Sequence, residues 1–80
     1  MAVVHIDVML HDEILDPQGQ AVERALPSLG FSSVAGVRIG KHIEVTLDGD
    51  PDDLAEQVEG MASKLLANPV IERFTWRVEE

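Results

Sequence analysis

The chain has 80 residues and a mass of 8.8 kDa, and 45% of the residues are apolar, which fits one small folded domain and excludes a second core or a disordered tail. Fifteen acidic residues against six Lys and Arg give a net charge of -9 and a pI near 4.5, which excludes a general nucleic-acid binder. With no Cys there is no disulfide framework, thiolate metal site or Cys nucleophile, and no apolar run approaches the ~20 residues that cross a bilayer.

Residues 2–11 read as a strand. Val4, Ile6, Val8 and Leu10 fall on one face at period two, and Val3, His5, Asp7, Met9 and His11 fall on a mixed, partly wet face. Because the chain opens directly into this pattern, no leader is expected, and the cytoplasm is the default setting.

Residues 16–30 read as a helix. Asp16 is an N-cap and Pro17 sits at N1, where its missing N–H costs nothing. Ala21, Val22, Ala25, Leu26 and Leu29 form its apolar stripe, and Gly30 suits the left-handed residue after the end. Pro27 removes a helix hydrogen bond and disfavours helical geometry at Leu26, so the last turn is expected to kink or end early.

Residues 33–47 read as a hairpin. A three-residue loop, Gly40-Lys41-His42, pairs Ile39 with Ile43 and Val37 with Val45, so that Leu47 and all these apolar residues share a face. Gly40→Val is expected to damage this hairpin or its docking more than Glu80→Ala damages anything.

Residues 50–67 read as a second helix, started by Asp50-Pro51 and favoured at its positive end by Asp52 and Asp53. Leu54, Val58, Met61 and Leu65 form the stripe, Leu66 widens it, and Asn68-Pro69 stops the helix. Residues 70–78 read as a strand with Val70, Phe74, Trp76 and Val78 on one face and Ile71, Arg73, Thr75 and Arg77 on the other. The order β-α-β-β-α-β predicts an α+β, ferredoxin-like single domain, an antiparallel sheet with two helices on one face. A core this small offsets the entropy of ordering only narrowly, so self-association is expected.

The residues that carry chemistry are sparse. His5, Asp7 and His11 share a strand face, but i to i+6 spans roughly 20 Å at ~3.3 Å per residue, so one ion cannot touch both histidines of a single chain. No metal site is expected there, and Asp7 is expected to pair with Arg73 or Arg77 across the sheet. The acidic run Asp48, Asp50, Asp52, Asp53, Glu56 and Glu59 lacks the Gly a calcium loop needs and reads as a solvated helix face, or else an acidic docking surface. Arg38-Ile39-Gly40-Lys41 is no phosphate loop and reads as a hairpin tip with two solvated cations, available for docking. Ser28, Ser32, Ser33 and Ser63 have no evident base. Three aromatics without basic interleaving speak against base stacking. No catalytic, cofactor-binding or metal residue is assigned.

Three segments go further. Leu15-Asp16-Pro17-Gln18-Gly19 is followed by Ala21-Val22-Glu23-Arg24-Ala25-Leu26 and Leu29-Gly30-Phe31. Val37-Arg38-Ile39-Gly40-Lys41-His42-Ile43-Glu44 comes next, and then Leu65-Leu66-Ala67-Asn68-Pro69-Val70-Ile71-Glu72. In this order and spacing they closely resemble the PurS subunit family of phosphoribosylformylglycinamidine synthase, over essentially the whole chain.

The resemblance implies a non-catalytic small subunit in purine synthesis. It would bridge a large ATP-using synthase subunit (PurL) and a glutaminase subunit (PurQ) and support ammonia transfer between them. ATP, magnesium and glutamine would be used by those partners, and the small subunit would itself be a dimer or tetramer. The matched residues Asp16, Pro17, Gln18, Gly19, Arg38, Gly40 and Lys41 become the candidate assembly or partner interface. Family members commonly carry a Lys-rich stretch where this chain has His11-Asp12-Glu13, and a helix former where it has Pro27. Two other readings compete. A small-molecule-binding regulatory module of the βαββαβ type would bind a ligand tightly without partners. An acylphosphatase-like enzyme needs an Arg after the first strand, and His11-Asp12-Glu13-Ile14 has none.

Overall fold

Val4, Ile6 and Val8 alternate with His5 and Asp7, and this period of two builds β1, Ala2–Leu10. The computed structural model describes residues 1–79; Glu80, the reference substitution for Gly40, lies outside them. β1 is the central strand. It pairs antiparallel with β2, Lys41–Leu47, on one side and with β3, Glu72–Val78, on the other. The register sets Ile6 between Ile43 and Trp76, and Val4 between Val45 and Val78. The expected parity of all three strands therefore holds, and their apolar residues share one face.

The helix α2, Leu54–Met61, lays Val58 on that face. Val4, Ile6, Val8, Val58 and Ala67 form the buried core, with Ile43, Val45, Phe74 and Trp76 packed around it. Asp50-Pro51 does not start α2 as expected. The chain turns there, and the helix begins after Asp53, whose carboxylate is engaged by the Gln57 side chain rather than by a backbone N–H. A π-type turn, Ala62–Leu66, continues α2 and closes with the Ala67 N–H donating to the Ala62 carbonyl at 2.8 Å. Its extra residue moves the inward position from Leu65 to Leu66. Leu65, expected in the stripe, is thus 84% exposed, while Leu66 packs against the core.

The helix α1, Pro17–Ala25, has Pro17 in its first turn and Asp16 as its cap, as expected. Pro27 ends it early: residues Leu26–Leu29 form a 3₁₀ turn, and Gly30 takes the left-handed φ of +99°. Of the two helices, α2 fills the core. The α1 stripe is uncovered in the single chain: Val22 is exposed, Leu29 is 69% exposed and Phe31 beyond it 56%.

The strand expected over residues 33–39 does not form, and neither does the loop at Gly40-Lys41-His42. Lys41 and His42 already belong to β2, facing Val8 and Asp7. The reason lies in competing acceptors. The Val37 N–H donates to Glu23 Oε1 at 3.2 Å and the Ile39 N–H to Asp16 Oδ2 at 2.7 Å, so α1 side chains take the donors that a strand partner would have used. The α+β class and the antiparallel sheet hold, and the arrangement is consistent with the ferredoxin-like plan. Among the described residues no helix is long and apolar enough to cross a membrane.

Candidate functional site

The two motif groups singled out in the sequence meet. Asp16 is the joint between them. Its Oδ1 accepts the Gly19 N–H at 2.8 Å, capping α1, and its Oδ2 accepts the Ile39 N–H at 2.7 Å from the connector. One buried carboxylate thus fixes the start of a helix and the approach to β2 together. These backbone donors, Gly19 first and Ile39 second, hold its carboxyl below the usual carboxylate range, with the Arg38 charge adding to the effect. Gly19 lies so close to the Val37 carbonyl that a Cβ there would collide with it. That close approach is why glycine follows Pro17-Gln18 in the motif.

Arg38 and Lys41 are not the free cations of a hairpin tip. Arg38 reaches across to Asp12 at 2.8 Å and to the carbonyls of Leu10 and His11 at the end of β1. Asp12 also accepts from Arg73 at 3.1 Å, so the loop after β1 is cross-braced. The Lys41 ammonium donates to the Leu66 carbonyl at 3.2 Å, meeting the negative end of the π turn. Gly40 packs against the Val8 carbonyl and the Met9 side chain. Asp16, Pro17, Gln18, Gly40 and Lys41 line one cleft of about 360 Å³ at this end of the sheet.

The sign of the Asp16 contribution follows from its lowered pKa. The stabilisation is present above the ordinary carboxylate range and is lost as pH falls through the lower folded-state value. Wild type is expected to be the more stable of wild type and Asp16→Asn at pH 7, with the gap closing below pH ~4. Urea titrations at pH 7 and pH 3 check this; a constant gap would contradict it.

The histidines sort differently from the sequence reading. His11 stands apart, with Nε2 near the Pro69 carbonyl at 3.4 Å. Asp7 pairs with neither Arg73 nor Arg77: His42 Nδ1 donates to its Oδ1 at 2.6 Å. That hydrogen bond is the chief reason the Asp7 carboxyl lies below its ordinary range. His5, expected on a partly wet face, is buried, and it meets His42. The missing signal was register. With Ile6 facing Ile43, His42 and Glu44 of β2 fall on the same face as His5 and Asp7 of β1.

Comparison with known proteins then decides the family. The model of the family described as PurS, phosphoribosylformylglycinamidine (FGAM) synthase, matches residues 3–80. The chain belongs to the PurS family. The Bacillus subtilis phosphoribosylformylglycinamidine synthase subunit PurS is 46% identical over 80 residues, covering 100% of this chain and 95% of that relative. The solved structure of B. subtilis PurS superposes with a TM-score of 0.91 over 100% of both chains. A chain in the structure of PurLQS from Thermotoga maritima matches with a TM-score of 0.85 at 29% identity, over 98% of this chain and 96% of that one. In PurS terms, the joint built on Asp16 is where this chain's own folding uses the motif residues.

Proposed function

We propose that this chain is the small, non-catalytic subunit of phosphoribosylformylglycinamidine synthase, bridging a PurL-type synthase and a PurQ-type glutaminase and supporting ammonia transfer in purine synthesis. The likeness to a chain of the T. maritima PurLQS structure supports this reading most directly. ATP, magnesium and glutamine are handled by the partners, in the cytoplasm. The motif face fits an assembly role: Asp16, Arg38 and Lys41 each hold their own chain together, which gives partners a fixed surface at that end of the sheet.

Self-association is supported by shape. The radius of gyration is 16.1 Å, against about 12 Å for a compact chain of this length. The accessible surface is 5707 Å², about 900 Å² above the ~4,800 Å² expected for this mass. That excess is on the order of what one partner buries in a standard interface, ~800 Å². The uncovered α1 stripe and the unpaired outer edge of β2 are the surfaces to be covered.

Mixing the chain with its PurL-type and PurQ-type partners is expected to restore glutamine-dependent synthase activity that no component shows alone. Failure of that reconstitution overturns the subunit reading. Light scattering is expected to give a dimer or tetramer; a monomer at micromolar concentration contradicts self-association.

A further inference from the structure

The sheet face opposite α2 carries a side-chain cluster for which the subunit role has no use. His5 Nδ1 and His42 Nε2 face each other at 3.1 Å, and Glu44 Oε1 lies 3.4 Å from His5 Nδ1. The outer nitrogens of both rings are already committed. His5 Nε2 meets Glu79 Oε1 at 2.9 Å, and His42 Nδ1 meets Asp7 Oδ1 at 2.6 Å. A carboxylate only accepts, so each outer nitrogen carries the ring's proton. The two inner nitrogens of neutral rings then point lone pairs at each other, with a carboxylate oxygen beside them. Such an arrangement calls for a cation between the donors.

We propose that His5 Nδ1, His42 Nε2 and the Glu44 carboxylate bind a zinc-class divalent ion, with water in the fourth position. Bonds of about 2.0–2.1 Å turn the 3.1 Å and 3.4 Å separations into angles of about 98° and 110° at the metal, near tetrahedral. All three ligand atoms lie within 4.8 Å of one another, and Glu44, 63% exposed, closes the remaining edge by side-chain rotation. Glu79 and Asp7 supply the carboxylate–histidine support that fixes ring orientation and tautomer at metal sites. Charge agrees as well. Asp7, Glu44 and Glu79 set three carboxylates beside the two rings with Arg77 as the cation among them, while Arg73 on the same face is taken up by Asp12, so negative charge is in excess around the rings. Imidazole ligands favour a zinc-class ion over magnesium or calcium. The ligands stand on paired strands, so the ion ties β2 to β1.

The test uses the full chain without a histidine tag and Co²⁺ as a spectroscopic probe. One equivalent per chain is expected to give a tetrahedral visible band that Zn²⁺ abolishes and Mg²⁺ does not. His42→Ala, on an exposed side chain, is expected to remove the band with circular dichroism unchanged, whereas His11→Ala keeps it. Asp7→Asn is expected to weaken binding by about 10–100-fold. A wild-type sample without the band, its rings then sharing only a proton, overturns the site, as does an unaltered band in His42→Ala.

Discussion

Ile6→Ala is expected to cost about 2–5 kcal/mol, because it opens a cavity where the sheet and α2 meet. Ile6 is fully buried, lies between Ile43 and Trp76 in the register, and belongs to the same cluster as Val58. Ile43 and Trp76 cannot collapse into the gap without shifting a strand, nor Val58 without shifting α2. At roughly 4–8 °C per kcal/mol for a domain of this size, the melting midpoint falls by about 8 °C or more. Leu65→Ala removes a side chain of similar volume from the surface and is expected to stay within about 0.5 kcal/mol. Thermal and urea denaturation of the two variants compare directly. Equal losses would mean that Leu65, not Leu66, faces the core.

Gly40→Val is the second large effect. A Cβ at position 40 meets the Val8 carbonyl, which is backbone, as well as the movable Met9 side chain. Relief of that clash must push the start of β2 away from β1, breaking the Val8–Lys41 pairing and pulling on the Ile39 link to Asp16. Overpacking of this kind costs about 1–3 kcal/mol. Gly40→Ala carries the same Cβ and is expected to suffer too. The activity restored with partner subunits should fall further than stability, since the whole motif face shifts. A variant with wild-type midpoint and full reconstitution would refute this.

The legible parts of the fold were those written in local periodicity. β1, β3 and the second half of the expected hairpin kept their faces because alternation alone decides parity. Asp16-Pro17 and Gly30 were readable because caps are local chemistry. Pairing was not readable. Residues 33–39 look like a strand, but Asp16 and Glu23, more than a dozen positions earlier, take the donors a neighbouring strand would need. Leu65 was misplaced by a π turn, which leaves no mark in an i, i+4, i+7 pattern. Of the candidate site, the residue types were legible and their roles were not. Arg38 and Lys41 looked like solvated cations, and only the tertiary path brings Asp12 and the Leu66 carbonyl to them.

The place of β1 at the centre of the sheet has a consequence for biosynthesis. β1 precedes both of its partners in the chain: Ala2 waits for Leu47 on one side, and Val4 waits for Val78 on the other. The β1–β2 ladder can form once residue 47 has been made, but the β1–β3 ladder needs the chain out to Val78, so completion of the sheet is a late event governed by distant pairings. Until then one edge of this apolar strand is open. Truncation even a few residues before Val78 would leave part of β1 with a bare flank, and nascent chains stalled there are expected to be aggregation-prone.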